Sequence, residues 1–240
     1  MSRHRLTLET TPPAAGTAFS LTGDEAWHAV AVKRVQKGDT VELLDGRGTV
    51  ATATVTASDK RKRDALLDLR IESVRQEPPT SPRVELWSAV PKADRAAHMI
   101  DQLAQAGAAL WRPLVASRSV TDADHKAERL QRIATEASKQ CGRAWHLAID
   151  PPVSVADAAA WSASHKPPAG AMLVADADGL PPSALPRADH LVVLVGPEGG
   201  FTDAELITLR AAGAASVRLG PHVLRTETAA VAAGVAMLCR

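Results

Sequence analysis

The chain has 240 residues, of which 45% are hydrophobic, and its formal net charge is +1. This length and apolar content allow a buried core and exclude intrinsic disorder, and the near-neutral charge excludes a global basic field. Any nucleic-acid site must therefore be a local patch.

Cysteine usage and the apolar segments indicate the compartment. Cys141 and Cys239 lie far apart and are too few for a disulfide framework, a zinc set or an iron–sulfur set. The N-terminal segment MSRHRLTLETTPP has no secretory apolar core, and the longest apolar stretch, Ala229–Leu238, is too short to span a bilayer. Aromatic residues make up only 3%, which disfavours base stacking as the main mode of RNA binding. We expect a cytoplasmic protein without a metal and without a membrane segment.

Residues 1–75 are predicted to form a small β-rich domain. Asp45-Gly46-Arg47-Gly48 has the composition of a hairpin turn. The pattern Thr22-x-x-Glu25 is a capping box that begins one helix between strands. Alternating apolar residues predict four strands: Thr17–Leu21, Thr40–Asp45, Thr49–Ala57 and Ala65–Ile71.

Residues 76–82, QEPPTSP, are polar and proline-rich and are expected to be a linker. From residue 83 to residue 240 strands alternate with helices, which predicts an α/β domain with a sheet of five or six strands. The predicted strands are Val84–Val90, Trp111–Ala116, Ala171–Ala175, Leu191–Val195 and Ala215–Leu219. The predicted helices are Asp94–Ala106, Ala123–Lys139, Ser154–Ser162, Asp203–Ala212 and Thr228–Leu238.

The most informative stretch is the turn GPEGG at residues 196–200. It follows a continuous β-branched run that predicts a strand covered on both faces. Thr202-x-x-Glu205 is a capping box for the next helix, and Phe201 with Leu206 has the spacing of a hydrophobic staple. Because glycine lacks a Cβ, a planar ligand could lie close to the backbone of this turn.

A second turn of the same kind lies between Leu219 and Thr228. Gly220-Pro221 ends a short strand, and Thr226 or Thr228 is expected to cap an alanine-rich helix that follows. Each turn alone is compatible with an ordinary tight turn. The two turns together are a far more specific sign of a functional site than either turn alone.

GPEGGF followed by LG-P-x-x-LRTETA resembles the RsmE family of 16S rRNA uridine-N3 methyltransferases, which belong to the SPOUT class. The resemblance implies a C-terminal SPOUT domain with a trefoil-knotted, mostly parallel sheet, and an N-terminal PUA-like β-barrel that helps hold RNA. It also implies S-adenosyl-L-methionine as cofactor, the 16S rRNA of the small ribosomal subunit as partner, and a homodimer.

The two turns would hold this cofactor through backbone groups and strand ends. The expected cofactor-binding residues are Val195, Gly196, Glu198, Gly199, Gly200, Leu219, Gly220, Leu224, Thr226, Thr228 and Ala229.

Three charged residues in the motifs are candidates for the chemistry. N3 of uridine carries a proton at neutral pH, so a group must accept that proton or stabilise the ring anion. Glu198 or Glu227 could act as the base, or either could bond to backbone amides and only shape its loop. Arg225 could stabilise charge on a carbonyl oxygen or grip a phosphate.

Cationic and polar residues outside the two turns are candidates for RNA contacts. His28, followed by Val32-Lys33-Arg34 and Gly38-Asp39, is similar to the family's His, VLR and Gly-Asp pattern, with lysine in place of leucine. Glu136, Gln140 and Arg143 would share a helix face if the helix extends that far, which by itself is compatible with an ordinary polar face. Their spacing resembles the family's E-x-x-x-Q-x-x-R pattern, which implies that this face meets substrate or a dimer partner. The candidates are His28, Lys33, Arg34, Lys60, Arg61, Lys62, Arg63, Lys92, Arg95, Arg118, Gln140 and Arg143.

Two other activities and one other class remain open. Ribose 2′-O-methylation is a second SPOUT activity, and a non-catalytic rRNA-binding assembly factor could retain the fold. Enzymes that methylate a pyrimidine at C5 use a cysteine nucleophile. We favour buried packing for Cys141 over that role.

Overall fold

The computed structural model describes residues 4–60, 65–92, 94–120 and 127–239. Contacts divide the chain into two compact units. The first comprises Met1–Pro79 with Ser138–His146, and the second comprises Thr80–Ala137 with Leu147–Arg240.

The first unit is built on a five-stranded sheet with the order β1-β3-β4-β5-β2. Its β1–β3 pair is parallel, and the other pairs are antiparallel. Leu43, Leu69 and Ile71 belong to its buried core. The strands are β1 (His4–Thr7), β2 (Ala18–Leu21), β3 (Thr40–Leu44), β4 (Thr49–Lys60) and β5 (Ala65–Gln76), and helix α1 (Gly23–Trp27) continues into a π-helical turn, His28–Val32.

The predicted hairpin turn between β3 and β4 is confirmed. Asp45 Oδ1 accepts hydrogen bonds from the N–H groups of Arg47 and Thr49 at 2.8 and 3.0 Å. Gly46 and Gly48 have φ angles of +70° and +99°, which residues other than glycine rarely adopt. The turn therefore depends on its glycines, as the pattern indicates.

The predicted capping box of α1 is wrong. Thr22 lies at the N-cap, but its side chain makes no capping bond within the described part of the chain. Glu25 instead accepts a hydrogen bond from the N–H of Thr7 at 2.9 Å and lies 3.1 Å from the ammonium of Lys139. A partner distant in sequence has replaced the local one.

The second unit contains a seven-stranded sheet with the order β12-β10-β11-β6-β7-β8, in which β9 also pairs with β7. All of these described pairs are parallel. The sequence predicted five or six strands, because β8 and β9 have only two residues each. The strands are β6 (Arg83–Ser88), β7 (Leu110–Val115), β8 (Ala148–Ile149), β9 (Val153–Ser154), β10 (Gly170–Leu180), β11 (His190–Val195) and β12 (Ala215–Val217).

Helices cover both faces of this sheet. Leu103, Leu130 and Met237 pack in the core on one face, and Ala158 and Leu209 pack on the other. The strands are therefore apolar on both sides, as a parallel sheet requires. The helices are α2 (Arg95–Ala106), α3 (Ala127–Cys141), α4 (Val155–Ser164), α5 (Asp203–Ala211) and α6 (Thr226–Leu238), and a 3₁₀ turn spans Pro182–Ala184.

The end of α3 corrects one prediction. The helix ends at Cys141, and Gly142 follows with a φ angle of +80°. Arg143 therefore lies beyond the helix and cannot share one helical face with Glu136 and Gln140, as the spacing suggested. The predicted start of this helix at Ala123 lies outside the described residues.

The fold class predicted from the sequence is confirmed: an α/β domain with a parallel sheet and a β-rich N-terminal unit. Among the helices of the described residues, none has both the length and the apolarity needed to cross a bilayer.

Candidate functional site

The two glycine-containing turns border one cavity of about 320 Å³ in the second unit. It lies where β11 and β12 end, at the carboxyl edge of a parallel sheet, the usual place for a ligand in an open α/β fold. Its walls combine the middle of β10, the turn after β11 and the segment between β12 and α6. The lining residues include Ala175, Asp176, Val195, Gly196, Glu198, Gly200, Phe201, Leu206, Val217, Leu219, Gly220, His222, Leu224, Thr226 and Ala229.

The first turn is held by the start of α5. The predicted capping box is confirmed: Thr202 Oγ1 accepts from the Glu205 N–H at 3.3 Å, and Glu205 Oε2 accepts from the Thr202 N–H at 2.8 Å. The other oxygen of Glu205 accepts from the N–H of Ser117 at 2.8 Å. Burial acts to raise the pKa of Glu205, but the hydrogen bonds from Thr202 and Ser117 outweigh it and lower the pKa.

Phe201 and Leu206, the predicted staple pair, both line the cavity and pack against the core cluster on the α4–α5 face. A Cβ at Gly196 would lie 3.1 Å from the Phe201 ring. This close approach explains a glycine at the position where the strand ends.

The second turn is joined directly to the first. The N-cap of α6 is Arg225, so the prediction that Thr226 or Thr228 caps the helix is wrong. Thr226 is 3% exposed, and its Oγ1 donates a hydrogen bond to the carbonyl of Gly196 at 3.1 Å. Its hydroxyl therefore fixes the beginning of α6 to the turn after β11.

An ion-pair cluster connects both turns to α2. Nη2 of Arg95 lies 3.9 Å from Glu198 Oε1, and Nη1 lies 3.4 Å from Glu227 Oε1. The second oxygen of Glu227 is buried and has no hydrogen-bond partner among the described residues. Of the three candidates for the chemistry, Glu198 lines the cavity, whereas Arg225 and Glu227 are outside the lining, and Arg225 is exposed.

Most of the expected cofactor-binding residues lie together. Of the eleven, Gly199 and Thr228 are outside the lining, Gly199 beside the Arg118 side chain and Thr228 at an exposed helix position. The lining residues missed from the sequence include Ala175, Asp176 and His222. Asp176 ends the regular part of β10 and pairs with Arg210. The sequence offered one signal for Asp176, its place directly after the predicted strand Ala171–Ala175. No glycine motif of the kind found in the two turns follows that predicted strand.

The RNA-contact candidates of the first unit have varied surroundings. Lys33 donates a hydrogen bond to the carbonyl of Arg5 at 2.8 Å, whereas Arg34 is exposed with a φ angle of +56°. His28 begins the π-helical turn and is half-buried. The ammonium of Lys60 lies 5.4 Å from the centre of the Trp27 ring. Arg61, Lys62 and Arg63 lie outside the described residues.

The remaining candidates also differ from one another. Nη1 of Arg118 donates to the carbonyl of Gly199 at 2.7 Å, so Arg118 contacts the first turn. Lys92 and Gln140 are exposed, and burial lowers the pKa of Arg143. Cys141 is exposed, so the prediction of a buried packing role is wrong.

No group of three or more histidine, cysteine, aspartate or glutamate side chains is arranged to hold a metal ion within the described ranges.

Comparison with known families and proteins gives consistent matches. The RNA methyltransferase domain family matches residues 78–238, and the RNA methyltransferase PUA domain family matches residues 21–65. The ribosomal RNA small subunit methyltransferase E of Mycobacterium bovis is 33% identical, covering 93% of this chain and 87% of its own. The protein of the same name from Bacillus subtilis is 29% identical, covering 95% and 93%.

Two solved structures are similar over almost the whole chain. One is the ribosomal RNA small subunit methyltransferase E of Neisseria gonorrhoeae bound to S-adenosyl methionine, with a TM-score of 0.84, 26% identity and coverage of 98% of this chain and 97% of that one. The other is a Legionella pneumophila methyltransferase in complex with the same cofactor, with a TM-score of 0.83, 25% identity and coverage of 99% and 97%.

Proposed function

Because the chain belongs to the RsmE family of ribosomal RNA small subunit methyltransferases, we propose that it methylates N3 of a uridine in 16S rRNA. The chain is an S-adenosylmethionine-dependent rRNA methyltransferase. What we propose beyond this is the methylated base, uridine, and the methylated atom, N3. The observation that supports this reading is the cavity that the two family turns form together at the carboxyl edge of the sheet.

The size and lining of the cavity support this proposal. Its volume of about 320 Å³ is within the usual range of small-molecule sites. A Cβ at Gly200 or Gly220 would meet no atom within 4 Å, so both backbones border open space that a flat ring system can fill. Val195, Leu219 and Leu224 supply apolar surface for an adenine. The carboxylate of Glu198 complements a positively charged ligand.

The protein has little covalent chemistry to perform. When bound, S-adenosylmethionine supplies a methyl group already activated by the positive charge on its sulfur. The two turns would hold that methyl group in line with the acceptor nitrogen and exclude water. The remaining requirement is the proton on uridine N3, for which Glu198 and Glu227 are the candidate acceptors. Arg225, exposed at the start of α6, is available to an incoming RNA carbonyl or phosphate.

We also propose that the protein acts in the cytoplasm on the small ribosomal subunit as a homodimer. Arg34, Lys60 and the adjacent basic residues of the first unit are proposed to contact RNA phosphates. The dimer proposal rests on the resemblance and on α6, where the apolar Val235 is 46% exposed on a helix that also buries Ala229, Ala233 and Met237.

Product analysis tests the proposed reaction. Purified protein, S-adenosylmethionine and small ribosomal subunits from cells lacking this protein would be incubated, and the 16S rRNA digested and analysed by nucleoside mass spectrometry. We expect 3-methyluridine to increase, because both family turns are intact and the cavity is formed. A reaction without protein is the control.

Each other product would contradict the proposal in a defined way. A 2′-O-methylated nucleoside would indicate the second SPOUT activity. The C5-methylated base would restore Cys141 as a nucleophile candidate, and it is exposed. Absence of any methylation, with the protein still bound to the subunit, would favour an assembly factor.

A further inference from the structure

The guanidinium of Arg95 lies between two carboxylates from opposite parts of the site. Arg95 is the first residue of α2, and Glu198 belongs to the turn after β11. Glu227 belongs to the first turn of α6 and lies 132 positions after Arg95 in the chain. The two ion-pair distances are 3.9 Å to Glu198 and 3.4 Å to Glu227. One side chain therefore joins the motif carboxylates of both turns.

This environment is poorly suited to a phosphate contact, the role that the sequence suggested for Arg95. Two carboxylates within 4 Å more than neutralise one guanidinium. The positive charge of Arg95 is therefore already compensated, and its guanidinium offers a phosphate little net attraction. Arg95 is better matched to a role inside the site than to RNA binding.

The two carboxylates are not equivalent. The Glu227 side chain is 16% exposed, and its Oε2 is buried. The Glu198 side chain is 38% exposed and lines the cavity. A ligand in the cavity can therefore reach Glu198, whereas Glu227 is enclosed by the protein next to Arg95.

We propose that Arg95 is a positioning residue, anchored by Glu227, which holds Glu198 at the cavity so that Glu198 accepts the proton of the acceptor nitrogen. This inference rests on the proposed function. The separation of 3.9 Å between Arg95 and Glu198 is that of a long ion pair.

The methyl transfer and the proton transfer need no further reactant. The N3–H bond breaks, and its electron pair stays on nitrogen, where it forms the new bond to the methyl carbon. The bonding pair between that carbon and sulfur leaves with the sulfur. The proton passes to a Glu198 oxygen and then to water.

Steady-state kinetics of Glu198→Gln, Arg95→Gln and the double variant test this assignment, with Arg95→Lys as the conservative replacement. Arg129→Gln is the matched control, because Arg129 also pairs with a carboxylate, Asp94 at 3.5 Å, but is 60% exposed. Thermal unfolding of each variant establishes that it folds. Fluorescence anisotropy with a 16S rRNA fragment measures RNA affinity independently of turnover.

We expect Glu198→Gln to lower kcat by about 100-fold, the usual scale for loss of a general base. Arg95→Gln should lower kcat about tenfold, with the KM for RNA and the RNA affinity changed by less than about twofold. The double variant should equal Glu198→Gln, because Arg95 acts through that carboxylate. Arg95→Lys should recover part of the loss, and Arg129→Gln should match wild type.

Three results would overturn the inference. Arg95→Gln could weaken RNA binding and leave kcat unchanged, which would identify a phosphate contact. The two losses could multiply in the double variant, which would show independent roles. Glu198→Gln could retain normal kcat. If Arg95→Gln does not fold, Arg95→Lys is compared in the same double-variant scheme. Product identity for the wild-type protein remains a separate measurement, so failure here leaves the proposed function standing.

Discussion

At the scale of single residues, one strongly perturbed carboxylate lies outside the cavity. Glu85 lies in β6 and is 6% exposed. Its oxygens lie 2.9 Å from His190 Nε2 and accept a hydrogen bond from Trp87 Nε1 at 3.0 Å. Burial acts to raise the pKa of Glu85, but the close contact with His190 and the hydrogen bond from Trp87, with the charges of His190 and Arg83, outweigh it and lower the pKa from 4.5 to about 2.

This shift predicts a pH-dependent contribution to stability. A carboxylate whose pKa is lower in the folded state stabilises the fold above its unfolded pKa, and the stabilisation is lost as pH falls through the folded pKa. For Glu85 the window runs from about pH 4.5 down to about pH 2. Glu85→Gln should therefore reduce the free energy of unfolding by roughly 3 kcal/mol at pH 7, and the difference from wild type should shrink across that window.

Urea unfolding at a series of pH values, followed by circular dichroism, measures this difference. Glu128→Gln is the control, because Glu128 is exposed in the first turn of α3, and a surface change of this kind should alter stability by less than about 0.5 kcal/mol. A Glu85→Gln difference that stays constant between pH 7 and pH 3 would contradict the assignment.

The residues that the sequence misassigned are those whose partners lie far along the chain. Thr226 has the right type and position for a cap, but its hydroxyl bonds to the Gly196 carbonyl. Arg95 has the appearance of a surface cation at a helix start, but it pairs with Glu198 and Glu227. Local pattern cannot show such partners, because they meet only after the sheet has formed.

At the scale of elements, several local signals gave correct predictions, although the capping box expected for α1 did not form. The capping box of α5 was predictable because both of its partners lie within one turn of helix. Gly107 ends α2 with a φ angle of +104°, again a local feature. By contrast, β8 and β9 are two residues each and carry no periodic pattern. Asp176 lies inside β10, where the pairing with β12 becomes irregular, and its place at the cavity could be found only by knowing the strand order.

The apolar character of α6 leads to a prediction about assembly. If the exposed side of α6 is covered in the homodimer that we propose, Val235→Glu should shift the protein from dimer to monomer, because a charge buried at an interface is costly. Sedimentation velocity measures the change. Val74→Glu is the control, because Val74 is 39% exposed, similar to the 46% of Val235, but lies on β5.

Two sedimentation results would count against this assembly. A wild-type protein that is monomeric at all concentrations and fully active would refute the dimer. An equal effect of Val74→Glu and Val235→Glu would remove α6 as its interface.

At the scale of the whole molecule, contacts group segments that are distant in sequence. Ser138–His146 belongs to the first unit, where Lys139 pairs with Glu25 and Trp145 Nε1 donates to the carbonyl of Glu77 at 2.8 Å. The sequence boundaries 1–75, 76–82 and 83–240 remain a prediction. A division of the chain into contiguous segments cannot place Ser138–His146 with the first unit, because this grouping arises from contacts between residues far apart in sequence.

We expect the cavity between the two turns to hold S-adenosylmethionine. Calorimetric titration of wild type, Gly220→Val and Ala160→Val tests it, because Gly220 lines the cavity with open space beside it, whereas Ala160 is exposed on α4. Wild type and Ala160→Val should bind one cofactor per chain with equal affinity. Gly220→Val should bind at least about tenfold more weakly, a loss of about 1.4 kcal/mol, because its side chain occupies the cavity. Unchanged affinity in Gly220→Val, or no binding by wild type, would show that the cofactor does not occupy this cavity.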